Sequence, residues 1–446
     1  MAVWWITETV PIPVTALLPL ALFPLLGLGT IEEVAAPYAN PLVFLFFGGF
    51  LIALAMQRWQ LHRRVAIRLI AALGTRPTRI VAGFLLASSM ISMWVSNTAT
   101  ALMMLPIALS VTALLPDTDQ EEGEGFAAAL LLAVAYGATT GGMATLIGTP
   151  PNALLAGFLN RVYGQSIGFG QWMLIGLPVT LAALPLVYWT LTRISFRLGH
   201  EEIPGMRELL ARERTQLGPI GSGEISVAIV FALTATAWIV RPLLATWLPL
   251  LTDTTIAIAG AIALFLIPID WRRGEFVMSW DATAELPWGV LLLFGGGLSL
   301  ASMIKTHGLS TYLGTLSASL DVLPVVVTVG IIAFGILLLT ELTSNTATAA
   351  TFLPIVAAIA VSMGQNPILF LVPTALAANC SFMMPVGTPP NAIVFGSGLL
   401  SLPQMARAGL LLNVLLVPLV VWMVWLLGPL VFDLQLGVVP EWAREP

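Results

Sequence analysis

One pentapeptide occurs twice in this chain. Ser96-Asn97-Thr98-Ala99-Thr100 returns as Ser344-Asn345-Thr346-Ala347-Thr348, each copy inside a long apolar run, and nine of the twelve positions starting at Ser96 and Ser344 are identical. Further along, each copy meets a second shared element, Gly148-Thr149-Pro150-Pro151-Asn152-Ala153 in the first half and Gly387-Thr388-Pro389-Pro390-Asn391-Ala392 in the second. Two linked motifs repeated in the same order make the chain an internal duplication with a paired polar centre.

The medium around that centre follows from composition. Of 446 residues, 58% are apolar and 9% charged, and the mean hydropathy is +0.95. A soluble domain carries about 25% charged residues. The chain therefore reads as an all-α polytopic membrane protein, with runs near the ~20 residues that cross a bilayer. A net charge of −5 gives no reason to expect a nucleic-acid partner. Cys380 stands alone in an apolar run and reads as a packing residue. His62, His200 and His307 are too far apart for metal-ligand spacing, and no nucleophile and base are paired, so an enzyme is not expected.

Taken in order, an apolar run over 2–29 is followed by a span over 40–57 and a basic stretch over 58–79 with Arg58, Arg63, Arg64, Arg68, Arg76 and Arg79. The positive-inside rule places that stretch in the cytoplasm. Runs 81–95 and 99–115 are each short for a crossing, which predicts a re-entrant helical hairpin turning at Ser96 to Thr98. Run 126–162 then crosses with a break at the first Gly-Thr-Pro-Pro, and 171–192 returns to an Arg-rich loop over 193–222. That loop falls inside only if 81–115 is a hairpin. Spans 224–249, 253–270 and 285–304 follow, the last repeating 40–57 with opposite direction: Phe47-Gly48-Gly49 and Met56 match Phe294-Gly295-Gly296 and Met303. The halves are thus read as inverted. A second hairpin over 323–362, a second broken helix over 367–398 and a final span over 409–432 complete the chain. The division is scaffold helices over 1–80, transport regions over 81–170 and 323–398, scaffold and connecting helices over 171–322, and a C-terminal helix and tail over 399–446.

A hairpin tip at membrane depth leaves backbone carbonyls and amides without intrahelical partners, and lipid cannot satisfy them. Ser, Asn and Thr cap helix N-termini and offer short oxygen-bearing side chains to a ligand. The half-helix beyond each tip turns its positive end toward an anion, and unwound carbonyls can hold a small cation. In Gly-Thr-Pro-Pro-Asn the proline forces the break and the glycine frees its carbonyl. No Asp, Glu, Lys or Arg occurs between 81 and 116 or between 364 and 405. An anion held here would be met by neutral donors and bound cations. Glu341, the one charged residue of the second hairpin, is a candidate for coupling or for capping amides, whereas Glu8 reads as an interfacial structural residue. Most of the 14 Trp residues read as interfacial anchors.

With Trp4-Trp5-Ile6-Thr7-Glu8, the doubled Ser-Asn-Thr and the doubled Thr-Pro-Pro-Asn resemble the divalent anion/sodium symporter family, the sodium-coupled dicarboxylate, citrate and sulfate transporters. The resemblance covers essentially the whole chain. It implies an elevator-type homodimer in the plasma membrane, with sodium as co-transported ion and no other cofactor. One sodium would sit among Ser92, Ser96, Asn97 and the Gly148 carbonyl, the second among Thr340, Thr343, Asn345 and the Gly387 carbonyl. Substrate carboxylates would meet Asn97, Thr98, Ser344, Asn345, Thr346 and Thr388. The intact Ser-Asn-Thr in both hairpins favours C4-dicarboxylates such as succinate, malate or fumarate. A sulfate or citrate symporter, a sodium-independent exchanger, and an anion channel stay open as alternatives. About two further helices are expected before Trp4, where this chain has almost nothing.

Overall fold

The apolar run over 2–29, interrupted by Pro11, Pro13, Pro19 and Pro24, cannot form one straight helix, because each proline lacks an amide donor and clashes with the turn before it. In the computed structural model that run is three short helices, Ala2–Thr7, Ile12–Thr15 and Leu18–Leu25. Residues 1–115, 120–199, 201–309, 312 and 323–444 are described. His200, Asp117 and Asp119 of the acidic stretch, and most of the 310–322 connection lie outside them.

From there the helices follow the apolar runs. Pro41–Arg58 is capped by Asn40, whose side chain accepts the amide of Leu42, and the basic stretch forms Leu61–Leu73. The first hairpin is Pro77–Ser92 and Asn97–Thr112, the second Val325–Thr340 and Asn345–Ser362. An arm of 16 residues rises about 24 Å, short of a ~30 Å hydrocarbon core. Each broken helix has two pieces, Gln120–Gly142 with Pro150–Tyr163 and Pro367–Asn379 with Pro389–Phe395. Phe169–Trp189, Ser222–Leu244, Asp253–Leu266, Trp288–Thr306 and Leu402–Phe432 are the remaining long apolar helices. Among the described residues, seven helical stretches are long and apolar enough to cross a membrane. The reading of 253–270 as one span needs correction. That helix ends at Leu266, and Pro268–Asp270 pairs with Glu275–Phe276 in a two-stranded antiparallel turn around Gly274.

Burial sorts these helices into centre and rim. Pro367–Asn379 is buried at every residue, and a window of Gly123–Gly142 is 94% buried, as helices apolar on all faces must be. The comparable window of Ser222–Leu244 is only 28% buried, with Ile225, Ile229, Leu233, Ile239 and Leu243 exposed. The broken helices form the middle and the unbroken ones surround them.

Glycine sets how closely the first hairpin approaches its broken helix. A Cβ at Gly141 would lie 2.1 Å from the Ser89 carbonyl oxygen, and one at Gly137 would lie 2.6 Å from that of Leu85. Both neighbours are backbone and cannot swing aside. Gly141→Ala should therefore lower thermal stability by about 1–3 kcal/mol of overpacking and shift the tip that Pro77–Ser92 carries. Thermal unfolding of the detergent-solubilised variant checks this.

Polar ties lie at the rim. Arg64 donates to Glu224 at 2.8 Å and to the carbonyls of Leu217 and Gly218, while Arg63 meets Glu213 at 2.7 Å. Leu61–Leu73 is thereby fastened to Met206–Leu217 and to the start of Ser222–Leu244. His62 is buried beside these arginines with Nδ1 2.7 Å from the Met56 carbonyl, and burial lowers its pKa from the usual histidine range.

Three tryptophans are not at the surface. Trp5, Trp172 and Trp238 are fully buried, their indole N–H groups donating to the carbonyls of Ile12, Met143 and Asp253. Trp94, beside the first tip, stacks on Phe169. Cys380 is buried and packs against the Met143 sulfur.

Candidate functional site

The chain order Ser-Asn-Thr places a cap, then two side chains on the first turn of a helix. Ser96 takes extended backbone and its Oγ accepts the Ala99 amide at 3.3 Å, starting the helix at Asn97. Ser344 stands at the same place before Asn345. Behind each tip one hydroxyl fixes the asparagine. Ser92 Oγ donates to Asn97 Oδ1 at 2.6 Å, and Thr340 Oγ1, its equivalent, donates to Asn345 Oδ1 at 2.5 Å. Two halves with different sequences on these arms have kept the same pair of oxygens.

The breaks are built alike. In the first, Asn152 donates its amide to the unwound carbonyls of Thr145 at 2.8 Å and Gly142 at 3.2 Å. In the second, Asn391 donates to Met384 at 3.0 Å and Ser381 at 3.1 Å. The asparagine of Thr-Pro-Pro-Asn thus stitches the loop before it to the helix it begins. Paired prolines following the threonine remove two first-turn amides, so these helix starts offer fewer amide donors than an ordinary helix start. Thr388 caps its helix through the Asn391 amide at 3.3 Å, while Thr149 sends its hydroxyl elsewhere, to Asn379 at 2.7 Å. Gly142 lies against the first tip: a Cβ there would be 2.6 Å from Asn97 Oδ1, and one at Gly148 would be 2.5 Å from the Gly142 carbonyl.

Both tips and both breaks meet at one cavity of about 710 Å³. Ser96, Asn97, Thr98, Gly148, Thr149, Ser344, Asn345, Thr346, Gly387 and Thr388 line it. Ser92 and Thr340 stand one layer back, touching it through the two asparagines. Thr343 lies deeper still, hydrogen-bonded to the Leu339 carbonyl and to Thr348.

Glu341 is not on the cavity wall. Its carboxylate is 4% exposed and is ringed by donors: the amides of Phe382, Met383 and Met384 at 2.8–3.1 Å, Ser381 Oγ at 3.0 Å and Asn413 Nδ2 at 2.6 Å. Three consecutive amides of the second break are satisfied by one side chain. Tyr136 adds a further tie, donating to the Phe382 carbonyl at 2.7 Å.

Two residues escaped the sequence reading. Asn379, at the end of the first piece of the second broken helix, bonds both Thr149 and Asn152 of the other half. Glu8, read as an interfacial residue, lines the cavity together with Glu285, Phe50, Leu54 and Gln57. Its left-handed backbone, φ 48°, is uncommon for a residue other than glycine.

Comparison with known proteins bears on this arrangement. The family described as the sodium:sulfate symporter transmembrane region matches residues 1–433. The chain belongs to this family. A sodium-dependent dicarboxylate transporter SdcS of Staphylococcus saprophyticus is 43% identical over 444 residues, covering 98% of this chain and 86% of the relative. The protein of the same name from Staphylococcus aureus strain MRSA252 is 41% identical over 446 residues, with the same coverage. In fold the chain is similar to the Alcanivorax borkumensis YdaH transporter, with a TM-score of 0.62 at 15% identity over 97% of this chain and 98% of that one. It is also similar to Neisseria gonorrhoeae MtrF, with a TM-score of 0.56 at 12% identity over 89% and 83%. The chain is a multi-pass membrane protein of a transporter family, and the family resemblance drawn from the doubled motifs holds.

Proposed function

We propose that this protein is a secondary active transporter that carries a C4-dicarboxylate together with sodium across the plasma membrane. The single observation that carries the reading is the cavity. Two Ser-Asn-Thr tips and two broken helices converge on it, and among the described residues its lining includes no Lys or Arg. A dianion there is met by hydroxyls, amides and helix starts, so its charge calls for cations held alongside. In this reading one sodium takes Ser92, Ser96, Asn97 and the Gly148 carbonyl. The other takes Thr340, Thr343, Asn345 and the Gly387 carbonyl. Carboxylates meet Asn97, Thr98, Ser344, Asn345, Thr346 and Thr388. The names of the 41–43% identical relatives support dicarboxylate and sodium. Inverted re-entrant hairpins moving as an elevator within a homodimer, with Glu341 holding the second break for the cation beside it, complete the proposal.

The test is uptake of labelled succinate into proteoliposomes, with an inward sodium gradient or with potassium in its place. Accumulation above equilibrium that requires sodium is expected. Uptake only into vesicles preloaded with dicarboxylate would replace symport by exchange, and saturation-free flux down a gradient would make it a channel. Transport of sulfate or citrate in place of succinate would move the substrate class.

A further inference from the structure

The duplication copies the hydroxyl–asparagine pair behind each tip and the asparagine stitch of each break, but not the position of Asn379. In the first half, the position equivalent to Asn379 is Thr140, buried near the end of Gln120–Gly142 with its hydroxyl unpartnered. In the second half, Asn379 is 1% exposed and reaches across the duplication. Its Oδ1 accepts from Thr149 Oγ1 at 2.7 Å, and its Nδ2 donates to Asn152 Oδ1 at 3.1 Å and back to the Ala375 carbonyl at 3.1 Å. Thr149 follows Gly148, and Asn152 holds the carbonyls of Gly142 and Thr145, the first of these residues lying against Asn97. One side chain therefore grips the backbone beside the first asparagine.

On its other side Asn379 adjoins the second asparagine. The carbonyl of Ala378 accepts from Thr340 Oγ1 at 2.9 Å, and the same hydroxyl also lies 2.5 Å from Asn345 Oδ1. Thr340 has one hydroxyl hydrogen and two acceptors. A cation that took Asn345 Oδ1 and Thr340 Oγ1 would turn that hydrogen wholly onto Ala378, tightening the helix end that carries Asn379. The tightened amide would then hold Thr149 and Asn152, and with them the Gly142 backbone beside Asn97, in place.

We infer that Asn379 is a positioning residue that couples the two cation sites, so that occupation of one raises the affinity of the other. The inference rests on the transport reading above. Such coupling is reciprocal and typically changes affinity about 5- to 150-fold. It needs no residue in the cavity itself, and Asn379 is not among those lining it.

Asn379→Thr provides the test, since it places at this position the residue that the other half already carries. Its hydroxyl can still reach the Ala375 carbonyl but not Thr149 and Asn152. Asn379→Ser is the second variant, should threonine's extra methyl disturb folding. The measurement is the midpoint of thermal unfolding of the purified protein as sodium rises, with choline holding ionic strength constant. The unaltered chain should show a sodium-dependent rise with a Hill slope above 1. In the variants the slope should fall toward 1 and half-saturation should move up about 5-fold or more. A merely structural role would lower the midpoint in choline yet leave slope and half-saturation unchanged, and that result overturns the inference. A rise in the unaltered chain that is absent altogether would instead remove the sodium-coupled reading on which the inference rests.

Discussion

Asn97→Ala and Asn345→Ala should each abolish sodium-driven uptake while leaving a folded protein. Each side chain has a side-chain hydrogen bond to one neighbouring hydroxyl, from Ser92 and Thr340 respectively. Losing one such bond costs folding only about 1 kcal/mol. In the proposed bound state the same amide serves cation and carboxylate at once. Contacts to charged groups contribute about 1.5–3 kcal/mol each, so losing two of them amounts to roughly 100-fold or more in affinity. Initial uptake rates in proteoliposomes, with circular dichroism as the folding control, check this. If both variants transport at the normal rate, the cavity is not the binding site.

Glu341→Ala should be costly in the opposite sense, to the fold before the transport. Its carboxylate satisfies three adjacent amides, one hydroxyl and the Asn413 side-chain amide, all in the buried centre. A buried donor left without a partner costs about 1–3 kcal/mol. Partial relaxation still leaves a loss on the order of 4 kcal/mol, enough to threaten a marginally stable protein. Glu341→Gln keeps one acceptor oxygen and should recover part of that loss. Thermal unfolding in detergent separates the three proteins. If Glu341→Ala melts with the unaltered chain, the carboxylate is not what holds the second break, and its value lies in transport alone.

The doubled motifs were legible because the chemistry of a helix break is local. Serine caps, paired prolines and glycine carbonyls act within a few residues, so their spacing announces both tips and both breaks. Asn379 was not legible for the opposite reason. Its partners Thr149 and Asn152 lie more than two hundred residues away, and nothing near it in sequence differs from an ordinary helix end. Glu8 was misplaced because its own neighbourhood, short helices broken by prolines, says nothing about what folds over it. The buried Trp5, Trp172 and Trp238 were masked by composition: a tryptophan at a segment end looks interfacial unless one knows that a carbonyl awaits its N–H. Where the first 29 residues break was written in their prolines, but which faces they pack against was not.

Glu8 and Glu285 give the cavity a polarity in time as well as in space. They are exposed carboxylates lining the same cavity as the two neutral tips. A dianion arriving alone meets like charge as well as uncharged dipoles, whereas sodium is drawn in by both. Under the transport reading proposed above, this field favours sodium entering ahead of the anion. On that proposal an anion that settles only beside sodium does not cross alone, and the two wall carboxylates would oppose uncoupled passage.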